Sequence, residues 1–265
     1  MPGNDTVLCA IDARGVAAVT LNRPAVGNAY DSALIDGLIE TFARLSREPD
    51  LRCAILRGAG RHFQAGADLA FLRHLGMVPA ADNLDFSRRT MAAIDGLCRF
   101  PQPTVAIIHG GCFGGGVGIA AACDIAIAAE DTVFAISEVC WGITAAPIIP
   151  LLVDRLGPRA LGRLALTGER FGAAEALRIG LVDQIHPPSA LEAVAAQIVD
   201  NLLMAAPEAA AMTKRLIAEA VETPDTPGFR ERIAIEAAAR RRLPEAGEGL
   251  ASFAEKRRPN WYRPE

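Results

Sequence analysis

The sequence predicts an α/β protein with a largely parallel sheet, and two observations lead to this prediction. Short apolar runs with strand character recur along the first part of the chain, and helical sequence separates each later run from the next. Parallel strands need such crossover connections. After Pro187 the pattern changes to helices alone. We therefore expect a core over residues 1–187 and a separate helical region over residues 188–265.

The individual elements follow from the hydrophobic period. Val7–Ile11 and Val16–Leu21 predict a hairpin, and Ser32–Leu45 places its apolar residues on one helical face. Leu75–Asp85 contains Gly, Pro and Asn and predicts a loop, which could act as a mobile flap or as an ordinary connector. Further strands are predicted at Cys53–Leu56, Thr104–Ile108 and Ile125–Ala128. Further helices are predicted at Leu191–Ala205, Pro207–Val221, Gly228–Leu243 and Gly249–Lys256.

Composition narrows the function classes. The chain has 265 residues, 51% of them hydrophobic, which is enough to bury a large core. A formal net charge of -4 argues against nucleic acid as the main partner. No stretch approaches the roughly 20 apolar residues of a membrane span, and the N-terminus lacks signal-peptide features, so we expect a cytoplasmic protein without a membrane partner. The four histidines have no metal-ligand spacing, so we expect no metal.

Glycine concentrates where a strand meets a helix. The segment GGCFGGGVGIAAACD (Gly110–Asp124) places three consecutive glycines before a helix predicted at Gly115–Cys123. Glycine lets a ligand approach the main chain, and the first turn of a helix has free N–H donors. Two interpretations fit this pattern. One is a dinucleotide-binding loop, because the glycines fit G-x-G-x-x-A, and the other is an oxyanion hole.

A second glycine turn, RGAGRHFQAGADL (Arg57–Leu69), brings another set of donors before a probable N-cap at Asp68. With LNRPAVGNA near the N-terminus, FAISEVCWGIT (Phe134–Thr144), LTGERFGAAEALRIGLVDQI (Leu166–Ile185) and the tail FAEKRRPNW, this order of motifs resembles the enoyl-CoA hydratase/isomerase family, also called the crotonase superfamily. The resemblance spans nearly the whole chain and favours the oxyanion-hole interpretation.

The resemblance implies a fold, an assembly and a substrate. The fold would be the crotonase spiral of β-β-α units followed by a C-terminal helical trimerisation region. The protein would form a homotrimer or a dimer of trimers, in which the C-terminal helices complete a neighbour's ligand site. The substrate would be an acyl-CoA thioester, so coenzyme A would be part of the substrate and no separate cofactor is expected.

The resemblance also implies roles for individual residues. The backbone N–H groups of Ala67 and Gly115 would hold the thioester oxygen, and Glu138 would be the acid/base. Hydratases of the family use a first glutamate at the position that is Gly118 here. The remaining substrate-binding residues implied by the resemblance, some of them along the coenzyme A part, are Ala25, Val26, Gly27, Ala65, Asp68, Gly114, Gly118, Trp141, Phe253 and Lys256.

The expected activity is enoyl-CoA hydration, with two alternatives. Gly118 in place of a glutamate favours an isomerase on mechanistic grounds, because one carboxyl group can remove a proton at one carbon and return it at another. The sequence around GGGVG and SEVCWGIT instead resembles hydratases. A non-enzymatic acyl-CoA-binding protein is the third alternative. The apolar neighbours Val139, Trp141 and Ile143 predict a raised pKa for Glu138.

Overall fold

The computed structural model describes residues 5–264. Nine strands and ten α-helices lie within that range. The strands are β1 (Val7–Ile11), β2 (Val16–Leu21), β3 (Cys53–Gly58), β4 (Thr104–Ile108), β5 (Gly111–Phe113), β6 (Ile125–Ala129), β7 (Val133–Ala135), β8 (Arg170–Gly172) and β9 (Gln184–His186). The helices are α1 (Ser32–Leu45), α2 (Leu69–Leu75), α3 (Ala80–Cys98), α4 (Gly115–Ala122), α5 (Ile149–Thr167), α6 (Ala173–Arg178), α7 (Leu191–Met204), α8 (Pro207–Glu222), α9 (Pro227–Arg240) and α10 (Pro244–Ala254).

The strands form two sheets. The larger has the order β1-β2-β3-β4-β6-β9, and the smaller has the order β5-β7-β8. In the larger sheet only the β1–β2 hairpin is antiparallel, and every other pair is parallel. The predicted α/β class with largely parallel pairing is therefore confirmed.

Apolar side chains from both faces of the larger sheet form the core. Helix α1 begins at Ser32 because the Asp31 carboxylate accepts a hydrogen bond from the Leu34 N–H at 3.0 Å. Its apolar face, which includes Leu38 and Phe42, joins the main hydrophobic cluster with strand residues such as Leu56. Helix α7 covers the opposite face through a second cluster. The first glycine turn lies between β3 of this sheet and α2, and the second lies between β5 of the smaller sheet and α4.

The predicted loop over Leu75–Asp85 is wrong in extent. Helix α3 already begins at Ala80, and only a short connection separates it from α2. Proline is compatible with a helix start because its fixed φ and missing N–H do not disturb the first turn, and Pro79 occupies the N-cap position. Asn83 lies in the exposed first turn of α3. The breaker residues therefore mark where the helix begins.

The C-terminal helices agree with the helical pattern predicted after Pro187, although α10 begins five residues before the predicted Gly249, at Pro244. The buried Arg52 side chain ties this region to the core. Its guanidinium donates to the backbone carbonyls of Trp261 (2.7 Å), Leu203 (3.1 Å) and Ala205 (2.7 Å). Helices α8 and α9 contain no buried residue.

Residues 5–264 contain neither a single membrane-spanning helix nor a cluster of metal-ligating side chains. No single helix in this range has both the length and the apolar character of a membrane span, although Pro188–Met204 and Pro207–Glu222 pass that test together across a 103° bend. The same range contains no group of three or more His, Cys, Asp or Glu side chains that could hold a metal ion.

Candidate active site

A cavity of about 860 Å³ opens beside the glycine turns. Most of its wall is apolar and comes from α1, α3, the start of α4 and the segment after β7. Six of the residues expected at the site from the sequence line it, namely Ala65, Ala67, Gly114, Gly115, Glu138 and Trp141. The structure thus brings the two glycine turns and the glutamate together around one space.

Two backbone donors in this wall have no acceptor. In the described chain, the N–H groups of Ala67 and Gly115 make no hydrogen bond, whereas those of Gly66, Asp68 and Gly114 are paired. The Asp68 N–H donates to the Tyr30 carbonyl at 2.9 Å, and the Gly114 N–H donates to the Ala135 carbonyl at 2.8 Å. Unpaired donors in a protein wall are costly without a partner. These two are therefore available to a ligand oxygen in the cavity.

The buried side chain of Gln64 shapes the first glycine turn. Its Oε1 accepts from the Gly66 N–H at 2.7 Å, and its Nε2 donates to the Gly66 carbonyl at 2.9 Å. This double contact fixes a glycine at φ 90°, a backbone conformation that L side chains rarely adopt. The turn consequently leaves the next N–H, that of Ala67, unpaired. Gln64 was not predicted as a site residue.

Glu138 lies against the second glycine turn. A Cβ built on Gly114 would lie 2.8 Å from Glu138 Oε1, so only glycine leaves room for this carboxylate. Oε2 is one of four buried polar side-chain atoms that have no hydrogen-bond partner among the described residues. Burial raises the pKa of Glu138 above its usual value. A raised pKa makes this carboxyl group more able to donate a proton as well as to accept one.

The raised pKa of Glu138 is confirmed, and its main cause is burial of the carboxyl. The apolar neighbours Val139, Trp141 and Ile143 are themselves 44%, 60% and 41% exposed. The carboxyl also packs against Gly114, so the glycine turn is one of its buried contacts.

Position 118 does not face the cavity. Gly118 is buried inside α4, and a Cβ built on it would lie 2.2 Å from Cγ2 of Ile148. Ile148 lines the cavity where Gly118 does not. Among the described residues of the wall, Glu138 is the sole carboxylate. No other acid replaces the first glutamate that hydratases of the resembled family carry.

The surroundings of Gly116, the third glycine of the triplet, argue against the dinucleotide-binding loop. A Cβ built on Gly116 would lie 2.5 Å from Gln64 Oε1. Gly116 and Gly118 are thus covered by Gln64 and Ile148. The fingerprint needs glycine backbone that is open to a pyrophosphate, and these two positions are closed.

Four of the other expected residues lie near the cavity without lining it. Ala25 and Val26 belong to a 3-10 turn, Pro24–Val26, which ends at Gly27 with φ 63°. The Gly27 carbonyl accepts from the Ala65 N–H at 2.9 Å, which joins this turn to the cavity rim. Asp68 is the N-cap of α2, as predicted, and pairs with Arg23 at 3.2 Å.

Two expected residues lie on the C-terminal helix or just after it. Phe253, near the end of α10, is 85% exposed, and Lys256 adopts a positive φ of 55° immediately after that helix. Neither lines the cavity of its own chain. Their expected contact is with a neighbouring subunit, and it stays a prediction.

Tyr30 is a cavity residue that the sequence analysis did not single out. It follows the motif LNRPAVGNA directly and is one of two tyrosines in the chain. Its ring lies against Gly115, since a Cβ built there would lie 2.5 Å from Tyr30 Cε1. A polar aromatic residue next to a recognised motif is the signal that could have identified it.

Comparison with known proteins places this geometry in a family. The family model described as enoyl-CoA hydratase/isomerase matches residues 12–264. The chain belongs to the enoyl-CoA hydratase/isomerase family. It is 33% identical to a putative enoyl-CoA hydratase of Thermus thermophilus over 249 residues, which is 93% of this chain and 97% of that protein. It is also 35% identical to the human mitochondrial Delta(3,5)-Delta(2,4)-dienoyl-CoA isomerase, over 65% of this chain and 56% of that protein.

A solved structure agrees. Pseudomonas aeruginosa AtuE superposes with a TM-score of 0.93 at 34% identity, covering 97% of this chain and all (100%) of that one. The chain therefore has the crotonase-type fold, with its C-terminal helical region, and is an enzyme of hydratase or isomerase type that acts on acyl-CoA thioesters. Glu138, the one carboxylate among the described residues of the cavity wall, is the acid/base available to either reaction.

Proposed function

We propose that the enzyme adds water reversibly to 2-enoyl-CoA thioesters, with Glu138 as its one acid/base carboxylate. The observation that carries this proposal is the juxtaposition, in one cavity wall, of a buried carboxyl with an unpaired oxygen and two unpaired backbone donors. A relative named as a putative enoyl-CoA hydratase supports hydration as the proposed reaction.

The two donors form the oxyanion hole in this proposal. Addition at Cβ of an enoyl thioester moves negative charge to the thioester oxygen. The N–H groups of Ala67 and Gly115 would stabilise that charge without reorganising, because Gln64 and the β5–α4 turn already hold them in place. Loss of one such donor typically costs about 3 kcal/mol of transition-state stabilisation.

Glu138 would then transfer one proton. As the water oxygen bonds to Cβ, the carboxylate takes a proton from that water, and the electron pair of the double bond moves toward the thioester carbonyl. The carboxylic acid returns the proton to Cα and completes the 3-hydroxyacyl thioester. Its raised pKa suits both halves of this transfer.

A Δ3,Δ2-enoyl-CoA isomerase is the second candidate, and a specific observation favours it. Ile148 occupies the space beside Gly118, so no second carboxylate can face the substrate from α4. Glu138 alone would suffice to remove a proton from Cα of a 3-enoyl thioester and return it to C4. The human dienoyl-CoA isomerase is a family relative with a related reaction in its name.

For the coenzyme A part, we propose the rim formed by Ala25, Val26, Gly27 and Ala65. The bond between Gly27 and Ala65 supports this placement because it brings the turn to the cavity edge. Arg23 is engaged with Asp31 and Asp68 and does not stand in for a phosphate-binding lysine at position 25.

We also propose a homotrimer or a dimer of trimers. Apolar side chains of α8 to α10 support it, since they are exposed in the single chain, where such a face normally marks an interface. They include Ile217 (63%), Val221 (66%), Leu250 (70%) and Phe253 (85%). Light scattering on the purified protein would give the mass, and Phe253→Glu should reduce it if this residue lies between subunits.

The test follows the absorbance of the conjugated thioester with crotonyl-CoA and with a 3-enoyl-CoA in parallel. Loss with crotonyl-CoA supports hydration, and gain with the 3-enoyl substrate alone supports the isomerase. Glu138→Gln should lower kcat by about 100-fold or more. Glu130→Gln, at an exposed position outside the cavity wall, is the matched control and should leave kcat unchanged. Tight binding without turnover of either substrate would favour an acyl-CoA-binding protein.

A further inference from the structure

Tyr30 is held rigidly at the two unpaired donors. Its backbone N–H donates to the Gly66 carbonyl and its carbonyl accepts from the Asp68 N–H, both at 2.9 Å, so residue 30 pairs beside Ala67. Its ring touches Gly115 on one side and stacks on Phe86 with a centroid distance of 6.5 Å. The ring therefore has little freedom to leave the cavity wall.

The hydroxyl of Tyr30 is available to a ligand. Within residues 5–264 it makes no hydrogen bond, although the side chain lines the cavity. Burial, together with the negative charge of Glu138, raises the pKa of Tyr30 to about 12. The phenol consequently stays protonated at neutral pH and can donate a hydrogen bond.

Glu138 and Tyr30 flank the same short stretch of backbone. The Glu138 carboxyl lies against Gly114, and the Tyr30 ring lies against Gly115. The Gly115 N–H is one of the two donors proposed for the thioester oxygen. Cα is bonded to the thioester carbon and Cβ to Cα, so a thioester oxygen held at Gly115 would bring the reacting carbons beside both polar side chains.

We propose that the Tyr30 hydroxyl holds the water that attacks Cβ, in the role for which a second carboxylate is absent. This inference rests on the proposed hydratase function. The hydroxyl donates to one lone pair of the water oxygen, and the second lone pair forms the bond to Cβ. The water proton passes to Glu138 and then to Cα, so that no proton leaves Tyr30. Tyr30 is thus a water-positioning residue, and Glu138 remains the group that transfers the proton.

The test uses Tyr30→Phe, which removes the hydroxyl and keeps the ring against Gly115. The kcat for crotonyl-CoA hydration should fall about 10- to 100-fold, as expected for a lost hydrogen bond that is made to the reacting water. Exchange of the α-protons of butyryl-CoA with deuterated solvent needs only Glu138 and the two backbone donors, so it should change less than about 2-fold. Tyr262→Phe is the matched control, because that hydroxyl bonds Asp200, outside the cavity lining.

Each other outcome has a definite meaning. Wild-type hydration that persists unchanged in Tyr30→Phe overturns the inference and leaves the proposed function intact. Equal losses of hydration and of α-proton exchange also overturn it, because Tyr30 would then act on the thioester oxygen. Exchange without hydration in the wild type overturns both the inference and the hydratase assignment but retains Glu138 as the base. Absence of both reactions in the wild type overturns all three.

Discussion

The close contact between Gly118 and Ile148 predicts that Gly118→Ala destabilises the protein. Gly118 lies inside α4, where Ala would normally stabilise the helix by about 1 kcal/mol. Its new Cβ would meet Ile148 Cγ2 at 2.2 Å, and this branched methyl next to the Ile148 backbone cannot swing away. Overpacking of this severity costs about 3 kcal/mol. We therefore expect Gly118→Ala to lower the free energy of unfolding by about 2 kcal/mol.

A double-mutant cycle isolates this cause. Ile148→Ala alone should destabilise the protein by about 2 to 5 kcal/mol, because it leaves a cavity. In that background the obstructing methyl is gone, but the Cβ retained at position 148 still lies 3.0 Å from the new one. Gly118→Ala should therefore cost clearly less than the roughly 2 kcal/mol expected in the wild type. Urea unfolding followed by circular dichroism, at one fixed protein concentration, gives all four free energies. Additive effects in the cycle would refute the steric argument, and so would a Gly118→Ala variant as stable as the wild type.

Three further predictions concern Glu138, Gln64 and Arg52. Burial raises the pKa of Glu138 in the folded protein. The stability that the protonated form contributes is therefore complete below the unfolded pKa of about 4.3. It is lost as pH rises through the higher pKa of the folded protein. Glu138→Gln should therefore gain stability relative to the wild type as pH rises from about 4 through that raised pKa. Wild-type kcat/KM should fall as pH drops through the same pKa. Gln64→Ala releases the Gly66 turn and should lower kcat by about 10-fold or more, because the Ala67 N–H loses its orientation. Arg52→Met leaves three backbone carbonyls unpaired and should cost about 3 kcal/mol of unfolding free energy.

The Glu138, Gln64 and Arg52 variants are each tested by a different measurement. Unfolding of Glu138→Gln and wild type across pH would contradict the linkage argument if the difference between them stayed constant. Steady-state kinetics of Gln64→Ala would contradict its positioning role if only KM changed. Limited proteolysis of Arg52→Met should cut the C-terminal tail first, and uniform cleavage along the chain would speak against this anchor.

Periodicity was enough to locate the regular elements of the fold. Val16–Leu21 and Ser32–Leu45 have the bounds expected from the sequence, because each is long enough to show its period. Strands of three residues, such as Gly111–Phe113 and Val133–Ala135, were not predicted. A run that short shows no period, and only pairing with a distant neighbour makes it a strand.

The site was predictable where glycine signals it and hidden where tertiary packing decides it. The two glycine turns and Glu138 could be identified in the sequence, and they line one cavity. The roles of Tyr30 and Ile148 could not, because each depends on a contact with α4 from a distant part of the chain. The glycine-rich sequence predicts that other groups pack closely against this backbone, but it does not identify those groups.

Four glycines at the start of α4 have four different neighbours. Gly114 meets Glu138, Gly115 meets Tyr30, Gly116 meets Gln64 and Gly118 meets Ile148. In a genetic screen, Ala at Gly115, Gly116 or Gly118 should therefore be suppressed by a change at a different second site in each case, whereas Ala at Gly114 stays strained by its φ of 51°. No single second-site substitution should therefore compensate for changes at more than one of these glycines. Its sequence can drift only when a distant partner changes at the same time.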